Sequence, residues 1–294
     1  MQRTTGDLMF EVFVFTLLSI ITAILIYPLV FVFFASFSDP IKVYESPFLF
    51  WPRGFNVVSY KKVFQDQYIW RGYANSIFYT TTGTLLGIIL TIFGAYPLSR
   101  KDFYGRNVFA LILVFTMFFS GGLIPTYLVI RSLKMINTPL AVIIPGSVSV
   151  YNMVIMRTYF QTQIPIELQE AAVIDGCNNL EILYKVVLPL SMPIIMVMVL
   201  FYGAGHWNAY FGALIYLTDQ RLFPLQLVLR DLLIKSHMER LLTVVHDAHY
   251  AERVMQQEGM KFSIVVVSSV PMLILYPFLQ RFFEKGILVG ALKG

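Results

Sequence analysis

The stretch that decides the fold is IPIELQEAAVIDGCNNLEILYKVVLPLSMPII, residues 164–195. It carries four acids and one lysine, followed by a Leu-Pro pair, whereas long apolar runs precede and follow it. A polar segment between long apolar runs is typical of a loop at a membrane surface. We therefore expect the flanking runs to be membrane spans.

Composition supports a membrane protein. The 294 residues are 57% hydrophobic and only 13% charged, whereas soluble domains contain about 25% charged residues. Crossing about 30 Å of hydrocarbon takes about 20 helical residues, and open strands are excluded because lipid cannot satisfy a free sheet edge. The first run, about 10–37, is too long for a cleaved signal peptide, whose apolar region has about 7–15 residues. The fold class is therefore an all-α membrane protein.

The apolar runs predict one transmembrane domain, residues 1–294, with six spans. The fourth span is interrupted at Pro145-Gly146, and the small residues Gly203-Ala204-Gly205 predict a bend in the fifth. The predicted spans cover about 10–37, 74–98, 107–130, 139–160, 187–217 and 261–283.

Charge orients these spans poorly. Six spans place both termini, the loop 99–106 and the segment 161–186 on one side, which holds nine of the 22 Lys and Arg. The short loop 99–106 is rich in positive charge and favours that side as the inside, but the short loop 131–138 also carries Arg131 and Lys134. Charge alone leaves the orientation open.

The segment 161–186 reads as two short helices. The first begins at Pro165, which suits a first helical turn, and ends at Gly176, the usual residue after a helix C-terminus. The second is capped by Asn178, and Glu181 three residues later can complete a capping box. On the first helix, Glu170 lies beside Ala171 and Ala172, whose small side chains predict a face for another protein.

This spacing resembles the EAA signature of ABC-importer permeases, with Val186 where the family usually carries Ile. The resemblance implies a type I ABC importer permease fold, in which a coupling helix between spans four and five docks on a cytoplasmic ATPase. It also implies that 161–186 and both termini are cytoplasmic. The residues implied in coupling are Glu170, Ala171, Ala172, Asp175, Gly176, Leu188 and Pro189.

Other stretches resemble the maltose-type carbohydrate-uptake branch. The C-terminal FFEKGILVGALKG, residues 282–294, is similar to the tail of that branch's second permease subunit. That tail reaches between the ATPase subunits, which implies contacts from Gly290, Ala291, Lys293 and Gly294. GHWNAYFGALIYL, residues 205–217, resembles the branch's Trp-Asn motif, but Ala209 stands where many members carry an acid. Three stretches together resemble importers of alginate and pectin oligosaccharides: FSGGLIPTYLVI, residues 119–130, NTPLAVIIPG, residues 137–146, and ELQEAAVIDG, residues 167–176.

Polar and aromatic side chains within the spans are candidates for a sugar pathway, because polar groups at membrane depth often mark one. Packing between helices is the alternative interpretation of the same residues. The candidates are Tyr127, Tyr151, Asn152, His206, Trp207, Asn208 and Tyr210.

Several site classes are not expected. His246 and His249, with His237 nearby, could share a helical face, but a solvated outer helix explains them better, so no metal site is predicted. No catalytic triad is present, and the chain lacks a P-loop sequence. We therefore expect no enzyme activity, and expect ATP and Mg to be bound by a partner ATPase. The sequence contains no basic, aromatic-rich patch, so we do not expect nucleic-acid binding.

The expected protein is a multi-pass permease of the bacterial cytoplasmic membrane that imports carbohydrate. Its expected partners are a second, homologous permease subunit, a cytoplasmic ATPase dimer, an extracytoplasmic sugar-binding protein and the lipid bilayer. The alternatives are a gradient-driven secondary transporter, a non-transporting scaffold, and an ABC permease for a non-sugar cargo. An internal repeat and an acid deep in a span would favour the secondary transporter.

Overall fold

The computed structural model describes residues 5–45, 48–242, 259–277 and 280, and all regular elements in these residues are helical. The helices are α1 (Thr5–Ser36), α2 (Pro40–Tyr44), α3 (Val58–Gln65), α4 (Gln67–Ser99), α5 (Arg106–Phe118), α6 (Leu123–Ser132), α7 (Leu140–Ile143), α8 (Val150–Gln163), α9 (Ile166–Ile174), α10 (Asn179–Ile182), α11 (Leu188–Leu190), α12 (Met192–Asn208), α13 (Phe211–Tyr216), α14 (Leu225–Leu242) and α15 (Gly259–Pro277). A π-helical turn, Leu183–Val187, joins α10 to α11, and a 3₁₀ turn, Gln220–Leu222, precedes α14.

Three of the described helices, α1, α4 and α15, are long and apolar enough to cross a membrane. Two further spans are bent pairs. Helices α5 and α6 meet at 112°, and the segment Asn179–Leu190 meets α12 at 82°. The first bend follows from Phe119, which is extended, and from Gly122 at φ 83. Each bent pair is long enough to count as one span, which gives up to five spans in the described residues.

The fifth predicted span bends at a different place from the one expected. Helix α12 runs unbroken through Gly203-Ala204-Gly205, so the predicted bend there is wrong. The chain turns instead at Ser191, between the two prolines Pro189 and Pro193. A proline removes a backbone donor and clashes with the preceding helical turn, whereas neighbouring helices can support small residues in a straight helix.

The predicted fourth span is not a continuous helix. Residues 144–149, around Pro145-Gly146, separate α7 from α8. Helix α8 restarts at Ser149, whose side chain accepts a hydrogen bond from the Asn152 N–H. With 14 residues, α8 rises about 21 Å, which is less than the hydrocarbon thickness.

Small residues on α4 allow other helices to approach its backbone. Gly83 and Gly87 lie one turn apart and are both buried. A Cβ added at Gly87 would lie 2.6 Å from the Ser147 carbonyl oxygen, and one at Gly83 would lie 2.6 Å from the His206 ring. Only glycine fits at this seam, which brings the interrupted fourth span and α12 against α4.

Contacts divide the chain into two compact units. The first comprises residues 1–67 and 229–270, and the second comprises 68–228 and 271–294. In the first, Ala35, Val43 and Leu49 form a small core against Phe31 and Phe262. The second unit holds the EAA-like segment and the fifth span. The single domain over 1–294 stays a prediction.

Candidate functional site

The first of two candidate regions is the segment between α8 and α12, which begins with α9. Pro165 precedes α9 in an extended conformation, one position earlier than the first-turn place expected from the sequence. The helix ends at Ile174, and Gly176 follows its C-cap Asp175 with a φ of 81. The Gly176 N–H donates to the Val173 carbonyl at 3.0 Å, and the Cys177 N–H donates to the Ala172 carbonyl at 2.9 Å. These two bonds form a Schellman motif, which requires a left-handed residue and explains the glycine.

The second half of this segment starts with the expected capping box. The Asn178 side chain accepts from the N–H groups of Leu180 and Glu181, and Glu181 accepts from the Asn178 N–H at 2.8 Å. Lys185 contacts the same carboxylate at 3.1 Å. The Asn178 N–H, followed by Lys185, lowers the pKa of Glu181. The reversal between the two helices is therefore fixed by hydrogen bonds between near neighbours.

The two alanines of the EAA sequence face different ways. Ala171 is exposed, whereas Ala172 is only 8% exposed and packs into an apolar core. Adjacent helical residues point about 100° apart, so the predicted small-residue face includes Ala171 and excludes Ala172. The outer face consists instead of Glu167, Glu170, Ala171 and Ile174, which are all exposed and recur at three- and four-residue spacing. Ile174 is 86% exposed, which makes it the apolar feature of this face.

One apolar core connects α9 with the interior of the fifth span. Ala172 of α9 is one member of this core. Ile182 and Val187 belong to it from the connecting turns, and Met198 and Tyr202 belong to it from α12. Leu188 packs against the same core, and Pro189, at the start of the bend, is exposed. A displacement of α9 would therefore act on packed side chains that reach α12.

Polar contacts tie this segment, and helix α8 before it, to the end of α4. The Arg157 guanidinium donates to the Leu98 carbonyl at 3.0 Å. Arg100 donates to the Gln169 side chain at 3.3 Å and to Asp102 at 2.7 Å. The hydrogen bond with Arg100 lowers the pKa of Asp102. Cationic donors at a helix C-terminus satisfy its free carbonyls and complement its dipole.

The second candidate region is a cavity of about 780 Å³ between the interrupted fourth span and α12. Three predicted pathway residues, Tyr151, Asn152 and His206, line it together. The lining is otherwise aromatic, small or weakly polar, and none of its residues is Asp, Glu, Lys or Arg. The lining residues are Ala141, Val142, Pro145, Gly146, Ser149, Tyr151, Asn152, Phe201, Tyr202, Ala204, Gly205, His206, Ala209, Gly212, Ala213 and Tyr216.

Four predicted pathway residues do not line this cavity. Trp207 is buried with its ring 6.1 Å from that of Tyr73, and Tyr127 stacks on Tyr216 at 6.3 Å. The Asn208 amide donates to the Ala204 carbonyl at 2.9 Å, and Tyr210 is exposed elsewhere. Consecutive positions of one helix face different directions, so His206 can face the cavity while Trp207 packs between helices.

Tyr202, which no sequence pattern indicated, contacts two other spans at the cavity wall. Its hydroxyl lies 2.6 Å from the Thr91 hydroxyl of α4 and accepts from the Ser149 N–H at 3.1 Å. Gly83 and Gly87, which allow the close approach behind the cavity, were not predicted as site residues either. The four-residue spacing of Gly83, Gly87 and Thr91 was the available signal, since small residues at this spacing favour helix contact in membranes.

The last predicted site residues are those of the C-terminal tail. Gly290, Ala291, Lys293 and Gly294 lie outside the described residues, as do His246 and His249. His237 belongs to α14. Within the part of the chain that the structure describes, no group of three or more His, Cys, Asp or Glu could hold a metal ion.

Known proteins resemble the chain over nearly its whole length. The profile of the family described as "Binding-protein-dependent transport system inner membrane component" matches residues 83–289, which include both candidate regions. Protein LplC of Bacillus subtilis strain 168 is 37% identical over 294 residues, covering 100% of this chain and 98% of LplC. The polygalacturonan/rhamnogalacturonan transport system permease protein YtcP of the same organism is 36% identical, covering 97% of this chain and 99% of YtcP.

A solved structure has the same fold. One chain of the crystal structure of a bacterial ABC transporter involved in the import of the acidic polysaccharide alginate superposes with a TM-score of 0.84. The two chains are 31% identical, and the match covers 96% of this chain and 99% of that one. The all-α ABC importer permease fold predicted from the EAA-like spacing is confirmed by this match.

Proposed function

This chain belongs to the binding-protein-dependent transport system inner membrane component family, and we propose that it forms half of the pathway of an ATP-driven carbohydrate importer. The other half is a second, homologous permease subunit. An extracytoplasmic binding protein delivers the sugar, and a cytoplasmic ATPase dimer supplies the energy. ATP and Mg bind to that dimer, so the energy has to reach this chain through a mechanical contact.

That contact is the outer face of α9. Glu170 offers a fixed charge, Ala171 permits close approach, and Ile174 offers an exposed apolar anchor. Asp175 and Gly176 end the helix, so that the chain reverses immediately behind this face. The continuous core from Ala172 to Tyr202 is the single observation that carries the proposal, because it links this face to the cavity wall.

The proposed mechanism is a rigid displacement. Nucleotide binding closes the ATPase dimer, and α9 moves with the subunit on which it is docked. The packed core carries that motion to α12, and the polar contacts of Arg157 and Arg100 carry it to the end of α4. The spans then swing so that the cavity opens toward the binding protein. In this arrangement 161–186 and both termini are cytoplasmic, and the tail residues Gly290, Ala291, Lys293 and Gly294 reach the ATPase dimer.

The proposed cargo is an acidic oligosaccharide. Sugars bind through aromatic faces and through hydrogen bonds to their hydroxyls, and the cavity presents Tyr151, Asn152 and His206. No carboxylate lines the cavity to repel a uronate. Two similar proteins also support an acidic cargo. YtcP is a polygalacturonan/rhamnogalacturonan transport system permease protein, and the structural neighbour belongs to a transporter involved in the import of alginate.

Crosslinking in the assembled importer tests the coupling. Cysteine is placed at Ala171 in a Cys177→Ser chain, since Cys177 is the single cysteine. We expect it to crosslink to the ATPase, whereas cysteine at the buried Ala172 should not. Crosslinking from neither position while the importer still works would overturn the docking proposal.

Uptake into vesicles tests the cargo and the energy source. With binding protein and ATPase present, oligogalacturonate or oligoalginate should enter only with ATP, and neutral oligosaccharides should enter more slowly. Uptake on an ion gradient without ATP would instead identify a secondary transporter.

A further inference from the structure

The loop between α2 and α3 folds back along a membrane-spanning helix. We call residues 48–55 of it the aromatic loop; their sequence is FLFWPRGF. The Tyr27 ring of α1 lies 6.1 Å from the Phe48 ring and 5.4 Å from the Phe50 ring. Trp51 lies 5.9 Å from Phe34, two turns further along α1. The loop therefore covers the last three turns of α1.

Hydrogen bonds and one buried side chain hold the aromatic loop in this position. The Asp39 N–H donates to the Arg53 carbonyl at 2.9 Å, and the Arg53 N–H donates to Ser38 at 3.0 Å. At the other end of the loop, the Leu49 N–H donates to the Tyr27 hydroxyl at 3.4 Å. Leu49 itself is 1% exposed and packs against Ala35. These contacts fix the depth of the loop relative to α1.

The outward side of the aromatic loop is apolar. Phe48 is 64% exposed, Phe50 68%, Trp51 76% and Phe55 74%. Residues 48–52 carry no charge, whereas Asp39, Lys42 and Arg53 stand at the end of the loop that is close to the C-terminus of α1. Large exposed rings beside a spanning helix need an apolar or amphipathic environment.

The length of α1 places this side at the membrane interface. The backbone of 48–57 is not helical, so it cannot lie in hydrocarbon, where its polar groups would find no partners. The hydrocarbon must therefore end close to Tyr27. About 20 residues precede Tyr27 after Asp7, which is the number that crosses about 30 Å, and Asp7 and Glu11 lie in the first two turns of α1. The remaining turns then pass through the headgroup layer, where aromatic rings are enriched.

We infer that the aromatic loop is an interfacial anchor: it lies in the headgroup layer of the leaflet at which α1 ends, with Phe48, Phe50 and Trp51 in contact with phospholipid. The contacts of Tyr27 and Leu49 hold these rings against α1, so the anchor fixes the depth of α1 in the membrane. It does not depend on the cargo or on the ATPase, so its test can fail while the proposed function stands.

Tryptophan fluorescence tests the anchor in the assembled, reconstituted protein. The chain has three tryptophans, Trp51, Trp70 and Trp207. Bilayers contain phospholipids brominated either close to the headgroup or near the end of the acyl chain. We expect headgroup-proximal bromine to quench the wild type more strongly than deep bromine. The Trp51→Phe variant should lose most of that excess, whereas Trp207→Phe, which removes a tryptophan that is 4% exposed, should keep it.

Three outcomes would overturn the anchor. If aqueous acrylamide, and not bromolipid, quenches the Trp51 contribution, the loop faces water. If neither quencher reaches Trp51, a protein partner covers it. If deep bromine quenches best, the loop is not at headgroup depth.

A second, independent measurement distinguishes lipid contact from a fluorescence change that misfolding of the variant causes. A spin label at Trp51→Cys, in the Cys177→Ser chain, should collide with lipid-soluble oxygen more often than with a water-soluble nickel chelate. The same label at Tyr104→Cys, in the loop after α4 where the side chain is 97% exposed, should show the opposite preference. Equal preference at the two positions would contradict the inferred anchor.

Discussion

The EAA-like segment and the cavity are built in opposite ways. In the segment, the hydrogen bonds that shape each turn join residues two to five positions apart, as between Cys177 and Ala172 or between Glu181 and Asn178. In the cavity, the defining bond joins Thr91 to Tyr202 across 111 positions. A local motif specifies its own geometry, whereas a cavity between spans depends on which helices meet. The segment should therefore tolerate changes that the cavity wall does not.

The most damaging change is expected at the seam behind the cavity. In Gly87→Ala, the new Cβ would lie 2.6 Å from the Ser147 carbonyl oxygen and 3.0 Å from Tyr202. Backbone cannot move as a side-chain end can, so we expect destabilisation of about 3 kcal/mol, the upper end of overpacking. Thermal unfolding in detergent measures it.

Gly205→Ala is the matched control, because nothing lies within 4 Å of the Cβ added there. It should melt at or slightly above the wild-type temperature, since alanine favours a helix. Equal melting of the two alanine variants would show that the seam is looser than described.

The next largest contrast lies within the EAA sequence itself. Ala172→Leu forces extra methyl groups into the core beside Ile182, and we expect a loss of about 1–3 kcal/mol of stability. Ala171→Leu changes an exposed position, so its melting temperature should not move. Ala171→Leu should instead weaken ATPase docking, which ATP-dependent uptake reports. If Ala171→Leu lowered stability and Ala172→Leu did not, the assignment of the two faces would be reversed.

The EAA-like segment shows which features can be predicted from sequence and which cannot. The capping box of Asn178 and Glu181 and the stop at Gly176 followed from residue types at fixed spacing, because near neighbours determine them. The burial of Ala172 could not be predicted in this way, because it depends on the packing of Ile182 and Val187 from the following turns. For the same reason, the sequence placed His206, Trp207 and Asn208 in one candidate pathway group, whereas only His206 lines the cavity.

The cavity was even less accessible to sequence reasoning. Tyr202 resembles any aromatic residue of an apolar helix until Thr91 and Ser149 are known to lie beside it. Its partners come from two other spans, and no spacing within α12 identifies them. The small residues of α4 marked a contact seam without revealing which helices it joins.

Removing the Tyr202 hydroxyl, which contacts two other spans, is expected to have an intermediate effect on stability. Tyr202→Phe keeps the ring but leaves the Thr91 hydroxyl and the Ser149 N–H without this partner. A lost buried hydrogen bond costs about 1–2 kcal/mol, and the double variant with Thr91→Val should recover part of it. Thermal unfolding of the four proteins in this cycle measures the coupling. Additive losses would mean that Tyr202 and Thr91 do not stabilise each other.

The smallest predicted effect is a pH dependence in the capping box. The pKa of Glu181 is lowered in the folded protein by the Asn178 N–H and by Lys185, so its stabilisation is present above the unfolded pKa and is lost as pH falls through the folded pKa. Melting temperatures between about pH 7 and about pH 3 should therefore fall less steeply for Glu181→Gln than for the wild type. Asp102 also has a lowered pKa, but it is present in both proteins and cancels in the difference. If the melting temperature of Glu181→Gln fell as steeply with pH as that of the wild type, the capping box would not contribute to the acid sensitivity of the fold.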